Sequence, residues 1–155
     1  VLSCADTKGD RLTHLKVLIC GDRNWDDLEL VKSIIKRLHE KTKAEKVTVI
    51  EGEARGADTC GRIAAQHFGY DLDPYPAQWS FYGAGAGPIR NSQQLREGQP
   101  DIVVGFHDNI GESSGTIDML NKSVKEEVPT ILVSHDEWRW WGSPASYDLG
   151  TDLWE

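Results

Sequence analysis

Residues 46–69 read KVTVIEGEARGADTCGRIAAQHFG, and the class of the fold follows from them. Lys46–Glu51 is rich in β-branched residues and stops at Gly52, the pattern of a short strand, while Asp58–Phe68 reads as a helix closed by Gly69. The same order of strand, loop and helix recurs on either side. Upstream, the apolar run Leu15–Cys20 ends at Gly21, and Asp26–Lys41 then repeats Leu30, Ile34, Ile35 and Leu38 at helical spacing. Downstream come a weak third strand at Asp71–Tyr75, a short helix over Pro88–Glu97 with Pro88 in its first turn, a fourth strand at Asp101–Phe106, a helix over Thr116–Glu127 and a fifth strand at Thr130–Val133. This alternation predicts an α/β domain in which a mainly parallel five-stranded sheet lies between two helical layers.

At 155 residues, one domain over residues 15–133 is expected, with an N-terminal extension at 1–14 and a tail at 134–155. The tail sets Arg139 against Asp136, Glu137, Asp148, Asp152 and Glu155, which is half of the net charge of −8. It reads as a Trp-rich appendage whose Trp138, Trp140, Trp141 and Trp154 pack over the domain or across a subunit interface. A chain that is 39% hydrophobic and 27% charged is not disordered, and it holds no run of about 18 apolar residues to span a bilayer. Val1–Thr13 lacks the pattern of a secretory signal, and Cys4, Cys20 and Cys60 form no CxxC pair, so a reducing, cytoplasmic setting is expected. The acidic balance argues against nucleic acid as a partner, because a duplex-binding domain carries a basic face to neutralise phosphates.

In an open parallel sheet, ligands bind beyond the carboxyl ends of the strands, beside the point where strand order reverses. The segments there are GDRNW (21–25), GEARGAD (52–58) and HDNIGESSGT (107–116). Gly111–Thr116 has the outline of a phosphate cradle, with glycines that admit an anion to a helix N-terminus; the plainer reading is a flexible turn capped by Ser114 or Thr116. It lacks the lysine of a P-loop, and no GxGxxG follows the first strand, so nucleotide hydrolysis of that kind and ordinary dinucleotide binding lose support. Arg55 between two glycines either folds over a ligand or makes a surface ion pair. GAGAGPIRN (83–91) opens another helix with Arg90 expected in its first turn, where a cation opposes the helix dipole unless an anionic ligand, or Glu97 or Asp101, offsets it. Trp25 and Trp79 lie near the crevice and could stack on a base, although large rings more often seal the underside of loops. His107 is the one histidine assigned to the site; His14, His39, His67 and His135 read as solvated. No His, Cys and Asp grouping has zinc spacing, and Asp22, Asp108 and Asp118 are too scattered for magnesium, so neither metal nor other cofactor is expected.

GDRNW, EGEARGAD, PAQW, AGPIRN and GESSGT, in this order over Leu15 to about Val133, resemble the YspA-like branch of the SLOG superfamily, which also contains the LOG phosphoribohydrolases and the DprA DNA-processing proteins. The resemblance implies a Rossmann-like fold that binds a nucleotide or nucleotide-sugar phosphate, and it admits a homodimer. Taken with the loops at the strand ends, the expected ligand positions are Gly21, Arg23, Trp25, Gly52, Arg55, Gly56, Asp58, Arg90, Asn91, Gly111, Ser114, Gly115 and Thr116. LOG enzymes cleave the N-glycosidic bond of nucleoside monophosphates with a PGGxGTxxE loop and a helix arginine. Arg90 resembles that arginine, and Arg90 with Asn91 also resembles the Arg-Asn pair of DprA. Met119, however, stands where LOG enzymes have the catalytic glutamate, and the PGG start is absent. Loss of a base through an oxocarbenium-like state needs a carboxylate near the sugar and an acid or cation on the leaving side. Arg90, Asp118 and Glu112 are the catalytic candidates on that alternative reading, with Asp108 and His107 behind them.

Overall fold

The central strand β3 (His14–Gly21) is hydrogen-bonded on both sides, and its near-continuous apolar run is what a strand covered on both faces requires. The computed structural model describes residues 7–8 and 11–142. A two-residue ribbon, β1 (Thr7–Lys8) against β2 (Arg11–Leu12), precedes β3. The main sheet has the order β5-β4-β3-β6-β7-β8, with β4 at Lys46–Glu51, β5 at Asp71–Pro74, β6 at Ile102–Phe106, β7 at Thr130–Val133 and β8 at Trp138–Trp140. β3 to β7 run parallel, in a register that sets Val17 opposite both Val49 and Ile102; β8 is antiparallel to β7.

The five parallel strands match the expected sheet, and β8 adds a sixth from the segment read as an appendage. Trp138 and Trp140 pack against the first core cluster and Trp141 against the second. Alternate residues of β8 supply this contact, a period too short in a three-residue strand to stand out in the sequence. Cys4, Trp154 and the acidic residues Asp148, Asp152 and Glu155 lie outside the described residues.

Alternation along the strands divides the core. Val17, Ile19, Val47, Val49 and Val104 face α1 (Leu28–Thr42) and α2 (Ala57–Phe68), while Leu18, Ile50 and Val103 face the opposite layer with Leu95, Met119 and Leu120. α1 buries Val31, Ile34, Ile35 and Leu38 on one stripe and is capped by Asp27, whose carboxylate accepts from Leu30 N at 3.0 Å. The second layer contains the single turn α3 (Trp79–Tyr82), then α4 (Ala86–Gln93), which continues into a wider π turn over Gln94–Gly98, and α5 (Ser114–Lys125). Strand order reverses beside β3, so the loops after β3, β4 and β6 converge at one edge of the sheet.

Candidate functional site

The turn between β4 and α2 is held by its own carboxylates. Asp58, buried at the start of α2, accepts from Gly52 N at 2.9 Å and Ala54 N at 3.3 Å. Burial raises the pKa of this carboxyl, against the pull of those N–H groups and of the Arg90 and Arg62 charges. The expected ligand residue Asp58 is thus engaged in shaping the loop. Glu51, at the last position of β4, was not singled out from the sequence. It is fully buried; Oε1 accepts from Glu53 N at 2.9 Å and Oε2 has no hydrogen-bond partner. Burial pushes its pKa up to about 7, with the Asp58 charge adding and the Arg62 charge opposing. The sequence signal was a carboxylate closing an otherwise apolar strand. Gly56 has φ +76°, and a Cβ there would strike the backbone of Asp22 and Arg23, since Ala57 N donates to Asp22 O at 3.0 Å and locks the β3 and β4 loops together.

Arg90 joins this turn to the second layer. Its Nη1 donates to Gly52 O at 2.6 Å and its Nε to Asn91 Oδ1 at 3.2 Å. The guanidinium lies where a Cβ of Gly52 would be, so a side chain at position 52 would push Arg90 off Gly52 O. Arg90 is in the last turn of α4, whereas the first turn was expected; the helix begins at Ala86, ahead of Pro88, and the dipole argument for an anionic partner falls away. The local carboxylates are occupied elsewhere: Glu97 pairs with Arg96 at 3.5 Å and Asp101 accepts from Lys16 N at 2.8 Å. Asn91, buried, donates from Nδ2 to Gly115 O at 3.2 Å and to Asp118 Oδ2 at 3.0 Å. Lys122 completes the clamp, with Nζ 2.9 Å from Asp118 Oδ2 and 2.9 Å from Pro88 O.

α5 starts at Ser114, and its cap is Ser113, one residue before the expected candidates: Ser113 Oγ accepts from Thr116 N at 3.3 Å and donates to Thr116 Oγ1 at 2.9 Å. Thr116 is therefore buried and engaged, while Gly111, Glu112, Ser114 and Gly115 are exposed. A Cβ at Gly111 or Gly115 would meet nothing within 4 Å. The N–H groups of Ser114 and Gly115 lie in the first turn and have no acceptor within the helix. Met119, where the resemblance expects a glutamate, is 1% exposed and packs in the core.

At the other end of this edge, Trp25 is 5% exposed, stacked on His135 with ring centroids 4.4 Å apart and tilted against Phe106 at 5.5 Å. It offers no face to a ligand, which corrects its place among the expected contacts. His135 is not merely solvated. Its Nδ1 donates to Asp108 Oδ2 at 2.7 Å, its Nε2 lies 3.0 Å from Asp27 Oδ2, and the hydrogen bond to Asp108 leads the causes that raise its pKa. His39 likewise donates from Nε2 to Ala44 O at 2.8 Å and accepts from the Tyr70 hydroxyl at 2.7 Å, and His14 Nε2 lies 2.8 Å from Thr48 Oγ1. His107 is buried; Nδ1 accepts from Asn109 N at 2.9 Å, so the ring proton sits on Nε2, 3.9 Å from Asp22 Oδ2. Gly21 backs closely on Phe106, and Arg23 and Arg55 are exposed.

The structure therefore brings Gly52, Arg90, Asn91, Gly115 and Asp118 into one hydrogen-bonded cluster. Beside it a cavity of about 170 Å³ runs between Arg90, Arg96, Tyr82 and Ile89. Among the described residues, no group of three His, Cys, Asp or Glu could hold a metal ion, and no helix is long and apolar enough to cross a membrane.

Residues 15–82 match the family model for the YspA, cpYpsA-related SLOG family (YAcAr). The Gene 61 protein of Mycobacterium phage D29 is 31% identical over 122 residues, covering 75% of this chain and 94% of that protein. DNA processing protein A (DprA) from Streptococcus pneumoniae superposes with a TM-score of 0.56 at 15% identity, over 76% of this chain. The match takes in 49% of DprA, about half its length, and at this identity the likeness is one of fold. With the ordered motifs, the sheet topology and these matches together, the chain belongs to the YspA and cpYpsA-related SLOG family.

Proposed function

We propose that the protein binds a nucleotide or nucleotide-sugar phosphate, with the phosphate between the N-terminus of α5 and the Arg90 guanidinium. One observation carries this reading: Asn91 ties the helix that presents Arg90 to Gly115 O, so the helix bearing this cation is fixed against the start of α5, where a Cβ of Gly115 would meet nothing within 4 Å. SLOG domains generally bind nucleotide-derived ligands, which supports the same reading. A fixed cation and helix start favour an anion because little reorganisation accompanies binding.

N-glycosidic cleavage is the weaker reading. Asp118 Oδ2 is shared between Asn91 and Lys122, Glu112 is exposed on the turn Ile110–Glu112, and Met119 supplies neither proton nor charge.

The test is calorimetric titration of wild type and Arg90→Ala with AMP, CMP, GMP and UMP. Loss of a charge-assisted pair removes about 1.5–3 kcal/mol, or roughly ten- to a hundredfold in affinity. Unchanged affinity in Arg90→Ala rejects the assignment. Release of free base at about 1 s⁻¹ or faster, abolished by Asp118→Asn, would establish the enzymatic alternative instead.

A further inference from the structure

The two tryptophans near the crevice have opposite surroundings. Trp25 has its faces covered, whereas Trp79 is 49% exposed. Trp79 opens the single turn α3, and the edge of its ring rests on α4, with Cη2 3.5 Å from where a Cβ of Gly87 would stand. Gly87 precedes Arg90 by three residues, which puts the two on one side of the helix. Over the ring lies the exposed guanidinium of Arg23, 6.0 Å from the centroid. Arg23 is held at this place because its backbone packs on Gly56, the second glycine of the β4–α2 turn. The ring therefore bridges the β3 loop and α4 on the flank where Arg90 reaches Gly52, with an edge packed and a face still open to solvent.

We propose that Trp79 is the platform on which the base of the bound nucleotide stacks, on the ring face left open, with the Arg23 guanidinium backing the ring from its other face. The inference rests on the phosphate site proposed above and specifies the ligand further: an intact nucleotide, base included, and not a sugar phosphate alone. Stacking on an aromatic face is tolerant of base identity, because every base presents a π face. The four ribonucleoside monophosphates accordingly bind within a few-fold of one another, and selectivity lies between nucleotide and ribose phosphate.

Wild type, Trp79→Ala and Trp79→Phe are titrated with AMP and with ribose 5-phosphate, with melting temperatures recorded for each variant. Wild type is expected to hold AMP more tightly than ribose 5-phosphate. Trp79→Ala lowers AMP affinity about five- to a hundredfold, down to that of ribose 5-phosphate, whose own affinity does not change. Trp79→Phe restores most of the loss. Equal AMP affinity in wild type and Trp79→Ala overturns the platform and leaves the phosphate site standing. AMP binding that depends on Trp79, without binding of ribose 5-phosphate to wild type, supports the platform and overturns the phosphate site. Failure of wild type to bind either compound overturns both.

Discussion

Two groups of loops meet the same edge of the sheet and use their polar side chains differently. The loops after β3, β6 and β7 close on themselves: Trp25 lies between His135 and Phe106, and His135 lies between Asp27 and Asp108, so rings cover rings and charges meet charges. On the side of β4, α4 and α5, Asp58 and Asn91 are spent on holding backbone and Asp118 on Asn91 and Lys122, while the start of α5 at Gly115 borders open space. The first arrangement is a seal and the second is a scaffold. A polar cluster that completes its own hydrogen bonds has little left for a ligand; one that only fixes its neighbours leaves their donors available.

Removal of the edge strand that follows the seal should have the largest effect. Deleting residues 136–155 takes away β8 and the packing of Trp138, Trp140 and Trp141, and makes β7 an unpaired edge. The truncated chain is expected to melt lower and to associate, as read by thermal denaturation and light scattering. An unchanged melting temperature and mass would make the tail dispensable. On the scaffold side, Glu51 gives a smaller but directional signal. Its folded pKa of about 7 lies above the ordinary 4.5, so its contribution is most favourable below pH 4.5 and is lost as pH rises through about 7. A shift of this size corresponds to about 3 kcal/mol at most. Glu51→Gln should gain stability relative to wild type as pH rises from 4.5 to 8, and a pH-independent difference in melting temperature would contradict the burial of an unpaired oxygen.

The smallest effect belongs to the exposed His135. Its folded pKa is raised by Asp108 and Asp27, so its contribution is fully present below the unfolded value of 6.5 and disappears as pH climbs through the higher folded one. The advantage of wild type over His135→Gln should shrink between pH 6 and pH 9 and should also weaken in salt. A constant gap would assign His135 to stacking on Trp25 alone.

The parallel strands and their helices were legible because periodicity records burial directly: Ile34, Ile35 and Leu38 lie on one stripe, and Val47, Val49 and Ile50 in a strand buried on both faces. β8 escaped because three residues are too few to display a period beside four tryptophans. At the site, Gly52, Arg90 and Asn91 were found from the motifs, but their contacts were not, since the approach of Arg90 to Gly52 spans 38 residues. His39 and His135 were misread for the same reason: their partners Tyr70, Asp108 and Asp27 lie on other elements, and sequence position alone says nothing of them. Glu51 was hidden in a β-branched run, where its neighbours identify the strand and not the charge.

Gly115 offers the most direct test of the account, because its substitution separates ligand from fold. A Cβ there meets no protein atom within 4 Å, and the residue needs no positive φ, so Gly115→Val should fold and melt as wild type does. Gln66→Ala, exposed on α2, serves as the control. The measurement is the shift in melting temperature on adding AMP. The account predicts a clear rise for wild type and Gln66→Ala and none for Gly115→Val, whose new side chain fills the space of the phosphate. Equal protection of wild type and Gly115→Val would place the phosphate elsewhere and contradict the account.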